Sequence, residues 1–73
     1  MDIHIRFNNR QFYCMNSFAS EGRYCEEGET YTAYVLGSDG YKFVFENGEM
    51  NFTTELFERT IEAWKDVLVE VTL

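Results

Sequence analysis

Thr30-Tyr31-Thr32-Ala33-Tyr34-Val35-Leu36-Gly37-Ser38-Asp39-Gly40-Tyr41-Lys42-Phe43-Val44-Phe45-Glu46-Asn47-Gly48-Glu49-Met50-Asn51-Phe52 is the stretch that decides the fold class. Thr30 to Leu36 is rich in Tyr, Thr and Val, residue types that suit a pleated, half-buried surface. Gly37-Ser38-Asp39-Gly40 is a turn by composition. Tyr41, Phe43 and Phe45 then alternate with Lys42, Val44 and Glu46, which reads as a second strand. Asn47-Gly48 predicts a tight type I′ hairpin turn, since both central positions of that turn need positive φ. Glu49 to Phe52 returns as a third strand with Met50 and Phe52 on one face. Three consecutive antiparallel strands make a meander.

Upstream, Asp2 to Phe7 alternates Ile3, Ile5 and Phe7 against Asp2, His4 and Arg6, the pattern of a half-buried strand. Asn8-Asn9 predicts a turn into a strand from Arg10 to about Met15. Asn16 to Glu27 loses periodicity and reads as a long loop anchored by Phe18 and Tyr24. Downstream, Thr53 is placed to cap a helix over residues 54–64 with Glu55 in its first turn, where an anion meets the positive end of the dipole. Leu56, Phe57, Thr60, Ile61 and Trp64 fall on one side of it. Val67 to Thr72 is β-branched and alternating, a closing strand. The expected fold is mainly β (α+β): one domain over residues 1–73, with five to six strands and one short helix. Exposed edges force a choice between a partly open small barrel and an open antiparallel sheet covered by the helix.

The chain has 73 residues, one core's worth. One Trp, five Tyr and seven Phe make that core efficient. Thirteen acids against six bases give a net charge of −7. That balance repels nucleic acid and forfeits counterion release, so direct DNA or RNA binding is disfavoured. It favours encounter with a basic protein surface of the kind found on polymerases and nucleases. No apolar run approaches the ~18 residues of a membrane span, and no signal peptide is visible, so a cytoplasmic monomer is expected. Cys14 and Cys25 then read as reduced thiols.

His4, Cys14 and Cys25 match no familiar zinc spacing, and nothing in the sequence orients a nucleophile, so no cofactor, metal or catalytic residue is expected. No glycine-rich phosphate loop precedes a helix. The aromatics of the meander have the makings of a base-stacking platform but lack a basic groove, and read as core. Two surface groups stand out as partner-binding candidates. Glu26, Glu27 and Glu29 precede the first central strand, and Glu46, Asn47 and Glu49 surround the last hairpin turn; together they would form an acidic patch for Arg and Lys of a partner. Asn8, Asn9, Arg10 and Tyr13 form the other group, since Tyr and Arg are common interface anchors.

Gly28-Glu29-Thr30-Tyr31, Gly40-Tyr41-Lys42-Phe43, Asn47-Gly48 and Leu56-Phe57-Glu58 resemble the landmarks of SH3-like barrel modules found among small phage and bacterial proteins. The resemblance covers under half the chain and speaks to fold. In size, acidity and aromatic content the whole chain also resembles small phage-encoded host-takeover proteins, among them Xanthomonas-phage regulators of bacterial RNA polymerase. That resemblance implies a protein that binds host RNA polymerase in the infected cell, inhibits initiation and promotes antitermination. Two other functions fit the residues: an acidic DNA-mimicking inhibitor of a defence nuclease, and a non-inhibitory SH3-like adaptor.

Overall fold

The computed structural model describes residues 9–71. The strand expected over Asp2 to Phe7, with His4, and the Asn8 half of the first turn lie outside the described residues. Within them run β1 (Arg10–Cys14), β2 (Phe18–Ser20), β3 (Arg23–Cys25), β4 (Thr30–Val35), β5 (Tyr41–Phe45), β6 (Gly48–Phe52), α1 (Thr54–Ala63) and β7 (Leu68–Val71). Five strands form an antiparallel sheet in the order β6-β5-β4-β1-β7, and β2 pairs with β3 in a separate hairpin. Among the described residues the sheet is open: β6 and β7 are its edges, and it does not close into a barrel.

The meander forms as its alternation requires. Ala33 pairs with Phe43 and Phe43 with Met50, so one register line carries small, large and medium side chains across the inner face. Phe12, Tyr31, Ala33, Phe43, Phe45 and Phe52 all point inward and are buried. The inner face is covered by α1 and the β2–β3 hairpin. Phe57 drops from α1 onto Phe12, Tyr41, Phe43 and Phe52 at ring separations of 4.5–6.4 Å. Trp64, at the C-terminal cap of α1, stacks on Phe18 of β2 at 5.1 Å, which joins the hairpin to the helix.

Thr53 caps α1 by accepting from the Leu56 backbone N–H at 3.2 Å, as its position predicts. Asp39 adds a second acceptor for the Thr54 N–H at 3.3 Å, tying the β4–β5 turn to the helix start. That turn needs glycine at its end. Gly40 has φ 153°, and a Cβ there would sit 2.6 Å from the Phe52 carbonyl oxygen.

Four sequence-based expectations change. Residues 16–27 are not one long loop; they contain the β2–β3 hairpin, whose Glu21-Gly22 tip takes positive φ at both residues. The described residues therefore hold seven strands, more than the five to six expected. The last hairpin turns through Glu46 and Asn47, with Phe45 facing Gly48, and neither Asn47 nor Gly48 has positive φ, so it is not a type I′ turn at Asn47-Gly48. Tertiary demands explain this: the Asn47 side chain is used to hold the β2–β3 hairpin, and Gly48 leaves room for Arg23, whose side chain lies 3.4 Å from where a Cβ would stand. Finally, Leu56 does not join the buried side of α1 but stands 48% exposed.

Candidate protein-binding surfaces

The acidic residues before β4 and around the β5–β6 turn come together, and a buried tyrosine joins them. Glu26 to Glu29 form a tight turn with Gly28 at φ 92°, closed by the Glu29 N–H donating to the Glu26 carbonyl at 3.2 Å. The Tyr31 hydroxyl accepts from the Glu26 backbone N–H at 2.7 Å and donates to the Glu46 carboxylate at 2.8 Å. Burial, together with the Glu46 carboxylate, raises the Tyr31 phenol, so it stays protonated and keeps donating. Glu26, Glu27, Glu29 and Glu46 are themselves exposed.

The same end is braced by the β2–β3 hairpin. Asn47 accepts from the Tyr24 N–H at 3.0 Å through its side-chain oxygen and donates from its amide to the Gly22 carbonyl at 2.9 Å, while the Glu46 N–H donates to the Tyr24 carbonyl at 3.0 Å. Ser17 accepts from the Glu27 N–H at 2.9 Å. The carboxylates are thus carried on backbone that is fixed at several points. Glu49 points to the opposite face of the sheet, where Lys42 lies 3.7 Å away. It stands apart from the other four.

Replacing Tyr31 with phenylalanine removes both bonds of its hydroxyl and leaves the Glu26 N–H to find water. A loss of about 1–2 kcal/mol is expected, read as a melting temperature lower by roughly 4–15 °C in a domain of this size. An unchanged melting temperature would show that the hydroxyl does not tie the two acidic segments.

The structure does not gather the Asn9, Arg10 and Tyr13 group into one surface. Asn9 accepts from the Val35 N–H at 3.0 Å and continues the pairing of β1 with β4. Arg10 points inward: its guanidinium donates twice to Glu70 at 2.8 and 2.9 Å and once to Glu58 at 2.6 Å, and lies 5.4–5.6 Å from the ring centres of Phe12, Tyr41 and Phe57. Tyr13 points outward beside Val69, and both are exposed. Arg10 is committed to the fold, and only Tyr13 is presented to solvent.

Cys14 and Cys25 are free and fully buried. Burial raises Cys14 against the opposing hydrogen bond to the Asn16 carbonyl, and burial reinforced by Cys14 and Glu46 pushes Cys25 up to about 12. Thiols held protonated this far above neutrality are weak nucleophiles and weak metal ligands. Among the described residues no group of three or more His, Cys, Asp or Glu is placed to hold a metal ion, and no helix is long and apolar enough to cross a membrane.

One surface escapes the sequence reading. A groove of about 470 Å³ runs between α1 and β6 and is lined by Met50, Leu56, Arg59, Thr60 and Trp64, with Glu21 of the hairpin tip at one end. The helical period hid it, because Leu56 lies on the apolar side of α1 and reads as core. Only the position of α1 on the sheet shows that Leu56 overhangs the edge.

No protein-family model matches the chain, and comparisons with curated proteins and with solved structures give no match. What the molecule defines is an open antiparallel α+β domain with a fixed acidic end and an apolar groove at one sheet edge.

Proposed function

We propose that this chain is a non-catalytic binding protein of the host-takeover type, which uses its acidic end to occupy a basic surface on a bacterial nucleic-acid machine, RNA polymerase first among them. The observation that carries the reading is the set of exposed Glu26, Glu27, Glu29 and Glu46 held on a braced framework around the Tyr31 hydroxyl. Because the backbone that carries them is already ordered, only side-chain rotamers are lost when these glutamates meet Arg or Lys, and charge-assisted hydrogen bonds to guanidinium are among the stronger polar contacts. The two buried, protonated thiols support a role without nucleophilic chemistry. The choice of polymerase rests on the resemblance to phage regulators, and interference with initiation and with termination would follow from preferring one state of the enzyme over another.

The test is a titration of purified bacterial RNA polymerase with the full chain, alongside promoter-directed and terminator read-through transcription. Saturable binding with reduced initiation is expected, and reversing Glu27 and Glu29 to lysine should weaken binding on the order of tenfold and flatten its salt dependence. Capture of a defence nuclease in place of polymerase, with steep loss of affinity in salt, would replace this reading with DNA mimicry.

A further inference from the structure

Among the described residues the sheet has two edges, and they are finished differently. Beside β7, the inward Glu70 is bound to Arg10, which is bound in turn to Glu58, so a cluster of charges fills the inner face at that edge. Inward-pointing charge at an edge is a known guard against strand addition. β6 itself carries no inward charge, since its inner face is Gly48, Met50 and Phe52. Its inner face opens into the groove between Met50, Leu56, Arg59 and Trp64.

Backbone geometry sharpens the contrast. The two-residue turn at Glu46 and Asn47 makes Phe45 and Gly48 a hydrogen-bonded pair. Phe43 with Met50 and Tyr41 with Phe52 follow as hydrogen-bonded pairs in the same ladder. The N–H and C=O of Glu49 and Asn51 therefore point out of the sheet, and among the described residues no backbone group takes them.

We propose that the β6 edge takes up an extended segment of a partner protein that carries an apolar side chain and, two residues further on, a carboxylate. Such a segment adds as a sixth strand, hydrogen-bonded to Glu49 and Asn51. Its alternate side chains fall on the inner face of the sheet, which here is the groove. The apolar side chain rests against Leu56, whose exposure of 48% is the largest among the exposed large hydrophobic residues described. The carboxylate meets Arg59, a cation that makes no ion pair among the described residues of a chain carrying −7 overall.

A second copy of the chain fits the edge poorly. Its β6 would bring inward side chains, such as the buried Phe52, that are already packed in its own core, and no carboxylate that lies on the inner face to meet Arg59. This edge is distinct from the acidic end, and the inference stands whether or not polymerase is the partner.

The experiment selects binders to the full chain from a displayed library of random hexapeptides. The enriched sequences are then titrated as synthetic peptides, with Trp64, the one tryptophan of the chain, as the fluorescent reporter at the groove. The expected winners share an apolar-x-acid pattern, shift Trp64 emission and slow amide exchange at Glu49 and Asn51. Arg59→Glu should weaken them about tenfold or more, and changing the peptide's acid to its amide should cost the same on the unaltered chain and little on that variant. Leu56→Asp, a change at an exposed position, should also lose the peptides while circular dichroism stays native. Winners that leave the Glu49 and Asn51 amides unprotected, an absence of enrichment over Leu56→Asp, or protection of those amides by dimerisation without peptide would each overturn the proposal.

Discussion

Truncating Phe57 to alanine should abolish or nearly abolish cooperative folding. Phe57 is fully buried and is the one residue of α1 that reaches the centre of the sheet, where its ring meets four others. Removing a ring from such a site costs about 3–5 kcal/mol, because the lost transfer energy is joined by the cavity left behind. Domains of this length have stabilities near the low end of the roughly 5–15 kcal/mol range, so the loss is comparable to the whole. Thermal melting followed by far-ultraviolet circular dichroism should show either no transition or a midpoint lower by more than about 12 °C. A shift under about 5 °C would mean that α1 contributes little to holding the inner face.

Arg10→Ala should be nearly as damaging at neutral pH, for a different reason. The guanidinium lies within 5.6 Å of three aromatic ring centres and donates to two carboxylates, so alanine removes packing, cation–π attraction and three charge-assisted hydrogen bonds together. About 2–4 kcal/mol is expected, with the outer portion of Glu58 and Glu70 kept in water limiting the cost. Arg10→Met keeps most of the packing and should recover a part of it.

The pH dependence separates charge from packing. Arg10 holds the Glu70 carboxyl below its ordinary value of 4.5 through their hydrogen bonds, against a smaller opposing effect of burial. A group whose folded value is depressed adds stability above its unfolded value, and that stability is lost as pH falls through the folded value. The stability gap between the unaltered chain and Arg10→Ala should therefore be full at pH 7 and narrow in acid below the ordinary glutamate value. Denaturant midpoints at the two pH values measure it. A gap that does not change with pH would assign the whole effect to packing.

These two residues also mark where reading the sequence succeeds and where it stops. The period-2 alternation of Tyr41, Phe43 and Phe45 determined which side of β5 is buried, and the helical spacing after Thr53 determined α1 and its cap, because both are local consequences of backbone geometry. The acidic cluster was legible in outline too: Glu26, Glu27, Glu29 and Glu46 are surface residues by type, and they do assemble. Their joining by Tyr31 was not legible, since a hydroxyl fifteen residues from Glu46 is matched to it only by strand register.

Arg10 shows the limit most clearly. By type and by its place near a turn it reads as an exposed anchor, yet an odd or even position on β1 decides whether it faces solvent or the core, and β1 pairs with strands far away in the chain. Asn47-Gly48 is similar. Its local preference for a type I′ turn is worth less than the two hydrogen bonds that Asn47 makes to the β2–β3 hairpin. The amino-acid sequence by itself determined a small antiparallel α+β domain with a strongly acidic surface, because alternation, capping and net charge are properties of neighbours and of composition. Tertiary structure alone decided the open sheet, the guarded β7 edge and the unguarded groove at β6, because those depend on which distant strands end up side by side.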